Sequence, residues 1–369
     1  MSQTIISGRG SSSKVTEILE HLGSRKFLLV KDSSYPFLSN REVLESIPTA
    51  RIEFSDFTPN PLYEHVMAGI DAFNKNSCDA IVAVGGGSTI DVAKCIKLYC
   101  KMDRSVNCLQ QECKDTKVPL IAIPTTAGTG SESTRFAVIY YEGKKQSVNH
   151  VSIIPDYAVL DSSVLISLPL YQKKCTMLDA LCQGIESWWS VNSTNESKSY
   201  SKKAIGLIMA NWKTYIDENT KEAAEQIMLA ANYAGRAINI TQTTAAHAMS
   251  YKLTSMYKLP HGHAVAVCLP HVWEYMVGHM DECIDPRGKD YLSGVFTDIS
   301  REMGCSNADE AIVLFRGMMK ALDMKNPTLQ NDSDIEILTA SVNPVRLKNN
   351  PVMLSEHTLR TMYEAIVRR

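Results

Sequence analysis

The chain changes its hydrophobic rhythm near the middle. In the first half, Lys26–Lys31 (KFLLVK), Ala80–Val84 (AIVAV) and Val118–Ile123 (VPLIAI) are short apolar runs, each closed by small or polar residues. Stretches with helical spacing, such as Pro61–Lys75 and Thr89–Cys100, lie between and around them. Continuously apolar strands joined by helical crossovers predict a parallel sheet covered on both faces. Pro155–Asp161 (PDYAVLD) reads as one more strand. Beyond Leu168-Pro169 the β-branched runs fade and a helical period continues to the C-terminus. Helix starts are expected at Ser306, with an acidic residue at Asp309, and at Ser355-Glu356. The fold class predicted is an α/β domain with a parallel sheet over residues 1–165 followed by an all-helical domain over 166–369. The boundary is expected between residues 162 and 170.

Composition narrows the class of protein. The 369 residues are 44% hydrophobic and 21% charged, an ordinary globular mixture large enough for two cores. A net charge of −2 without a basic cluster argues against a nucleic-acid partner. No apolar run approaches the roughly 20 residues that span a bilayer, so no membrane partner is expected. The opening MSQTIISGRGSSSK lacks the apolar core of a signal peptide. Ten cysteines without CxxC pairs suit reduced thiols, and a cytoplasmic location is the expectation.

Candidate chemistry sits where strands end. Gly85-Gly86-Gly87-Ser88 follows AIVAV and opens the helix TIDVAKCIKLYC. Glycines let backbone N–H groups approach an anion, and a helix N-terminus adds unpaired donors. A phosphate site is therefore read here, against the plainer alternative of a tight turn; no Walker A lysine follows. A second loop, Pro124 to Glu132 (PTTAGTGSE), follows VPLIAI and offers hydroxyls to a ribose, phosphate or carboxamide. Asp32 ends the first apolar strand, where a carboxylate can accept ribose hydroxyls and repel a 2′-phosphate. That favours NAD(H) over NADP(H). Gly8-Arg9-Gly10 begins a dinucleotide fingerprint, but Ser13 stands in place of its third glycine, and a turn is the expected role.

In the second half, Asp179 and Gln183 lie one helical turn apart and share a face. His247 and His261 follow, separated by 14 residues. A carboxylate and two imidazoles suit a catalytic divalent cation that keeps one position open. The amide of Gln183 is a weaker, neutral donor in the fourth place.

GGGSTIDVAK, IPTTAGTGSE, the DALCQGIES segment and the HAM…PHGHAVAVCLPH stretch resemble the iron-containing (group III) alcohol dehydrogenases. The resemblance extends from about residue 5 to the C-terminal NNPVMLSEHTLRTMYEAI. It implies a dehydroquinate synthase-like two-domain fold, a cleft holding NAD(P) and one divalent metal, and interconversion of aldehydes and alcohols. The metal implied is Fe²⁺, with Zn²⁺ or Mn²⁺ as alternatives, on Asp179, Gln183, His247 and His261. The cofactor-binding set is Asp32, Gly86, Gly87, Ser88, Asp91, Thr125, Thr126, Thr129 and Ser131. Gln183 replaces a histidine of the family pattern. Tyr251 stands where the family often has a second histidine suited to proton relay, and His263 is an alternative relay group. A homodimer is the family expectation.

Arg236 and Lys252 flank the segment of His247. If the helix breaks around Ile240–Thr244, both cations and the hydroxyls of Thr241, Thr243 and Thr244 can face one pocket. Such a pocket suits a phosphonate or sulfonate head group. Ser190, Asn192 and Ser193 are further candidates. The stretch resembles the phosphonoacetaldehyde reductase branch, which makes 2-hydroxyethylphosphonate the expected product. A general short-chain primary alcohol dehydrogenase, a sulfoacetaldehyde reductase, a metal-free NAD-binding protein and a dehydroquinate synthase-like lyase are the alternatives.

Overall fold

In the computed structural model, which describes residues 3–367, the first half alternates strand and helix. In order come β1 (Thr4–Ser7), α1 (Lys14–His21), β2 (Lys26–Lys31), α2 (Arg41–Glu45), β3 (Ala50–Phe54), α3 (Tyr63–Lys75), β4 (Ala80–Gly85), α4 (Gly87–Tyr99) and β5 (Leu120–Pro124). A hairpin of β6 (Phe136–Tyr141) and β7 (Lys144–Asn149) precedes β8 (Tyr157–Leu160). Six strands form a parallel sheet in the order β1-β8-β5-β4-β2-β3. Alternate residues of the central strands enter different cores. Leu28, Val30, Ile81 and Ala83 pack with Val66 and Ile70 of α3 and Val92 and Ile96 of α4. Phe27, Leu29, Val82 and Val84 pack with Val15, Ile18 and Leu19 of α1. Both faces are therefore covered, which is why these runs are apolar throughout.

Four strands, β1, β3, β6 and β7, lie outside the apolar runs read from the sequence. β1 and β3 are the sheet's edges. β3 carries Arg51 and Glu53, and Glu53 also pairs with Lys31 at 2.6 Å, so its sequence alternates instead of running apolar. β6 and β7 turn at Glu142 and Gly143, both with positive φ (50° and 71°), the geometry of a two-residue hairpin. Gly8-Arg9-Gly10 is the turn expected: Gly10 has φ 78° and its N–H donates to Asp161 at 2.9 Å.

The second half is helical: α5 (Leu170–Trp189), α6 (Asn195–Lys213), α7 (Lys221–Thr241), α8 (Ala245–Tyr257), α9 (His261–Gly278), α10 (Lys289–Glu302), α11 (Ala308–Ala321), α12 (Asp334–Ser341), α13 (Pro344–Leu347) and α14 (Glu356–Ile366). Ser355 caps α14 by accepting from Thr358 N–H. The start near Ser306 needs correction by one residue. Asn307 is the cap of α11, accepting from Glu310 N–H, while Ser306 donates its own N–H to the Glu310 carboxylate.

The residues fall into two compact units. One runs to Leu168 and also takes in Asp217–Gly235; the other comprises Pro169–Ile216 and the chain from Arg236 onward. Within the first unit, α7 contributes Asn232, whose amide donates to Glu132 (2.9 Å) and Ser133 (2.6 Å). Gly235 lies so close to Gly130 that a Cβ on Gly130 would come within 2.4 Å of the Gly235 Cα. Among the described residues, no helix is long and apolar enough to cross a membrane.

Candidate functional site

Nucleotide loops in the first unit. Gly86 precedes α4 and no side chain caps that helix, so the first N–H groups of α4 remain available to an anion. Asp32 lies against this turn. Its Oδ2 accepts from the Thr89 hydroxyl (2.8 Å) and Gly86 N–H (3.4 Å). The second loop packs on the first: a Cβ on Gly87 would meet Thr129 at 2.9 Å, and Thr125 N–H donates to the Gly85 carbonyl. Thus Asp32, Gly86, Gly87, Ser88, Thr125, Thr126 and Thr129 gather around one strand-end surface, as expected of a parallel sheet.

Two cofactor candidates have a different role. Both oxygens of Asp91 are taken, by the Ser131 hydroxyl (2.6 Å) and Val138 N–H (2.9 Å). Ser131 also accepts from Lys94, which is wholly buried and donates to Thr134 and the Phe136 carbonyl as well. Asp91 and Ser131 therefore tie α4 to the second loop and have their polar atoms turned inward. Burial pushes the Asp91 and Glu132 carboxyls up and the Lys94 ammonium down, to about 8.

Metal candidates in the second unit. α5 places Asp179, Gln183 and Glu186 on one stripe, at i, i+4 and i+7. α8 brings His247 in its first turn, and α9 begins with His261 directly after Pro260. Ligand atoms of Asp179, His247 and His261 all lie within 4.8 Å of one another. Asp179 Oδ1 is 3.3 Å from His247 Nε2 and 4.0 Å from His261 Nε2. Asp179 Oδ1 and His247 Nε2 are both buried, and beyond facing each other neither makes a well-aligned hydrogen bond. Such poorly paired atoms are costly unless a ligand completes them. A divalent cation fits this donor set.

Glu186 was missed in the sequence, although it lies in the quoted DALCQGIES segment. It is wholly buried. Its Oε1 accepts from Thr244 N–H (3.2 Å), the Thr244 hydroxyl (2.8 Å) and His247 N–H (3.3 Å). Its Oε2 meets His247 Nδ1. One carboxylate thus caps α8, which has no side-chain cap of its own, and fixes the proton of His247 on Nδ1. In the neutral imidazole, the form that can ligate, the Nε2 lone pair then faces Asp179. The stripe spacing was the available signal; the approach of α8, some 60 residues later, was not legible.

The electrostatics show that a cation at this cluster takes the place of a proton on His247. Burial pushes the Asp179 carboxyl up, but His247, His261 and a hydrogen bond from Gln183 outweigh it and its pKa is lowered. Burial lowers the His247 pKa, but Glu186 and Asp179 prevail and raise it to about 9. Gln183 is therefore beside Asp179 as a hydrogen-bond partner. His261 keeps 34% of its side chain exposed, which leaves one side of the cluster open.

Five expected residues, His263, Thr244, Arg236, Ser190 and Ser193, have other partners. His263 is engaged at both nitrogens, by Tyr171 Oη (2.8 Å) and the Lys325 carbonyl (2.9 Å), so no nitrogen remains for proton relay. Thr244 is buried; its hydroxyl donates to Glu186 and accepts from Trp189 Nε1, which makes it a support for Glu186. The helix does break at Gln242 (φ 59°), but Arg236 lies over the Tyr200 ring and donates to its hydroxyl at 2.6 Å. Ser190 and Ser193 are likewise held, by Arg287. Lys252 lies half-buried on α8. Tyr251 stacks parallel to the His261 ring (5.7 Å, 4°). Burial raises its pKa, so the phenol stays protonated at neutral pH.

Comparison with known proteins agrees with this layout. A sequence model of the family described as iron-containing alcohol dehydrogenase matches residues 2–162, and its C-terminal counterpart matches residues 174–367. The chain belongs to the iron-containing alcohol dehydrogenase family. It is 32% identical over 277 residues to the NAD-dependent methanol dehydrogenase of Bacillus methanolicus, covering 72% of each chain. It is 35% identical over 254 residues to the phosphonoacetaldehyde reductase of Streptomyces viridochromogenes, covering 63% of this chain and 62% of that one. The crystal structure of sulfoacetaldehyde reductase from Bifidobacterium kashiwanohense with NAD+ superposes with a TM-score of 0.89 at 26% identity, covering 99% and 96% of the two chains. This family member is an oxidoreductase of the alcohol dehydrogenase class.

Proposed function

We propose that this dehydrogenase reduces a small anionic aldehyde with NADH, phosphonoacetaldehyde being the leading candidate and 2-hydroxyethylphosphonate its product. The observation that carries the chemistry is the cluster of Asp179, His247 and His261, with Glu186 fixing the ligand tautomer behind it. Phosphonoacetaldehyde and sulfoacetaldehyde reductases among the similar proteins support the substrate class.

When bound, the dinucleotide supplies a hydride and a divalent cation polarises the carbonyl. The chain's own residues do the rest. Asp179, His247 and His261 are the proposed ligands, with Fe²⁺ the metal the family name points to. Gln183 orients the Asp179 carboxylate by hydrogen bonding to it. The N-terminus of α4 and the Thr126 and Thr129 hydroxyls hold the pyrophosphate and nicotinamide ribose, and Asp32 selects NAD by repelling a 2′-phosphate. Tyr251, protonated at neutral pH, offers an O–H donor next to His261. Metal, NAD preference, cytoplasmic location and a homodimer are parts of the same proposal.

A second reading, turnover of simple primary alcohols, is favoured by the methanol dehydrogenase relative, which matches a larger share of the chain. NADH oxidation with phosphonoacetaldehyde, sulfoacetaldehyde and propanal separates them. The proposal expects the anionic aldehydes to have the higher kcat/KM. Equal or better turnover of propanal would sink it in favour of the second reading.

A further inference from the structure

The residues first chosen to hold an anionic head group are largely engaged elsewhere, yet the second unit carries another cation beside the metal ligands. Arg346 sits in α13, and its guanidinium carbon lies over the Tyr251 ring at 5.4 Å from the centroid. The same ring is parallel to the His261 imidazole, 5.7 Å away. Arg346 is therefore no farther from the His261 ring than those two steps combined.

The other described arginines of this unit all have an oxygen acceptor. Arg236 donates to Tyr200, Arg287 to Asp285 and the Ser190 and Ser193 carbonyls, Arg301 faces Asp298, Arg316 pairs with Glu274, and Arg360 with Glu336 and Glu364. Arg346 is half-buried and has no ion pair or side-chain hydrogen bond among the described residues. A guanidinium presents five N–H donors in a rigid fork, and leaving them without acceptors in a partly buried position has a cost that an oxyanion removes.

Its position is also fixed in advance. Asn349, three residues on, donates to the Thr243 carbonyl (3.2 Å), accepts from the Asn192 amide (2.9 Å), and its carbonyl accepts from Val191 N–H. The Thr243 side chain in turn hydrogen-bonds Tyr251. The segment carrying Arg346 and the ring beneath it are thus tied to one frame, and little ordering is left for binding.

We propose that Arg346 is the specificity-determining residue that receives the phosphonate or sulfonate oxygens of the substrate, with the Tyr251 ring as its platform. This rests on the reading of the enzyme as a reductase of anionic aldehydes. A two-carbon aldehyde has its carbonyl at one end and its oxyanion at the other, so with the carbonyl at the His261 cluster the oxyanion would turn to the fork over the Tyr251 ring. The bidentate fork would favour tetrahedral oxyanions over neutral aldehydes of equal length.

The test uses Arg346→Met, which keeps the apolar stem, and Arg346→Lys, which keeps the charge but loses the fork. For each metal-loaded protein the ratio of kcat/KM for phosphonoacetaldehyde to that for propanal is measured, and binding of ethylphosphonate is followed by calorimetry. Loss of charge-assisted hydrogen bonds should lower the ratio roughly 10- to 100-fold in Arg346→Met, mainly through KM, and weaken ethylphosphonate similarly. Arg346→Lys should fall between that variant and wild type. A selective wild type whose selectivity and ethylphosphonate affinity survive in both variants overturns the role of Arg346 and leaves the substrate class standing. A wild type with no preference for the anionic aldehyde overturns both. A change confined to the KM for NADH also overturns the role of Arg346.

Discussion

Replacing Glu186 by glutamine tests the metal centre without touching a proposed ligand. The side chain keeps its size but one carboxylate oxygen becomes an NH2 group. With the amide oxygen at the Oε1 position, the contacts to Thr244 N–H, the Thr244 hydroxyl and His247 N–H survive. The NH2 then faces His247 Nδ1, where the structure has a carboxylate oxygen. Two donors cannot share that contact. Either the imidazole moves its proton to Nε2, which removes the lone pair facing Asp179, or the amide flips. A flip forfeits the two backbone hydrogen bonds at the start of α8, worth roughly 2 kcal/mol together, since the Thr244 hydroxyl can turn to accept. Both routes weaken metal binding, by roughly 10- to 100-fold for a partner of a ligating histidine. Competition between stripped protein and a chromophoric chelator for Zn²⁺ or anaerobic Fe²⁺ measures this directly. Because Glu186 helps to raise the His247 pKa to about 9, wild type and variant are best compared above that pH, where protons no longer compete. Equal affinities there would refute the argument that Glu186 sets the tautomer.

Other perturbations follow from the same geometry. Gln183→His places a third imidazole beside Asp179, and metal affinity in the same competition assay should rise; a fall would show that this position cannot reach the ion. In Gly262→Ala the new Cβ would lie 1.9 Å from the Cys175 carbonyl and 2.8 Å from Asp179 Cβ, so α9 must move off α5 and carry His261 with it. Metal affinity should collapse and stability fall by roughly 1–3 kcal/mol; unchanged chelator competition would contradict the close approach. Burial lowers Lys94 to about 8 from an ordinary 10.5, so between those values the unfolded chain holds the extra proton. The stability of wild type relative to Lys94→Met should therefore rise as pH climbs from 8 to 10.5, by up to roughly 3 kcal/mol, in urea titrations; a flat or falling difference would contradict it.

The sequence was most legible where one physical demand fixed a whole segment. β2 and β4 lie inside the sheet and bury both faces, so KFLLVK and AIVAV could hardly be anything else. β3 was hidden because an edge strand can carry a half-buried Arg51 and an exposed Glu53 between its apolar residues, so no apolar run marks it. At the site, Asp179, His247 and His261 were readable from helical spacing and familiar flanks, and the structure gathers them. What spacing could not show is what meets each polar group across helices. Thr244 looked like a substrate hydroxyl until Glu186 and Trp189 took both of its roles. His263 looked like a relay until Tyr171 and Lys325 took both nitrogens. Arg346, 85 residues beyond His261, carried no local signal, since only the packing of α13 on α8 puts it over Tyr251.

The central claim is that carbonyl reduction runs on a metal held by Asp179, His247 and His261. Stripping the protein with a chelator, then titrating Fe²⁺ back under anaerobic conditions while NADH oxidation and bound metal are recorded together, tests it most directly. The account predicts that activity returns in proportion to bound metal, saturates at one ion per chain, and does not return in Asp179→Ala. Full turnover in the stripped protein, or in Asp179→Ala without bound metal, would contradict it.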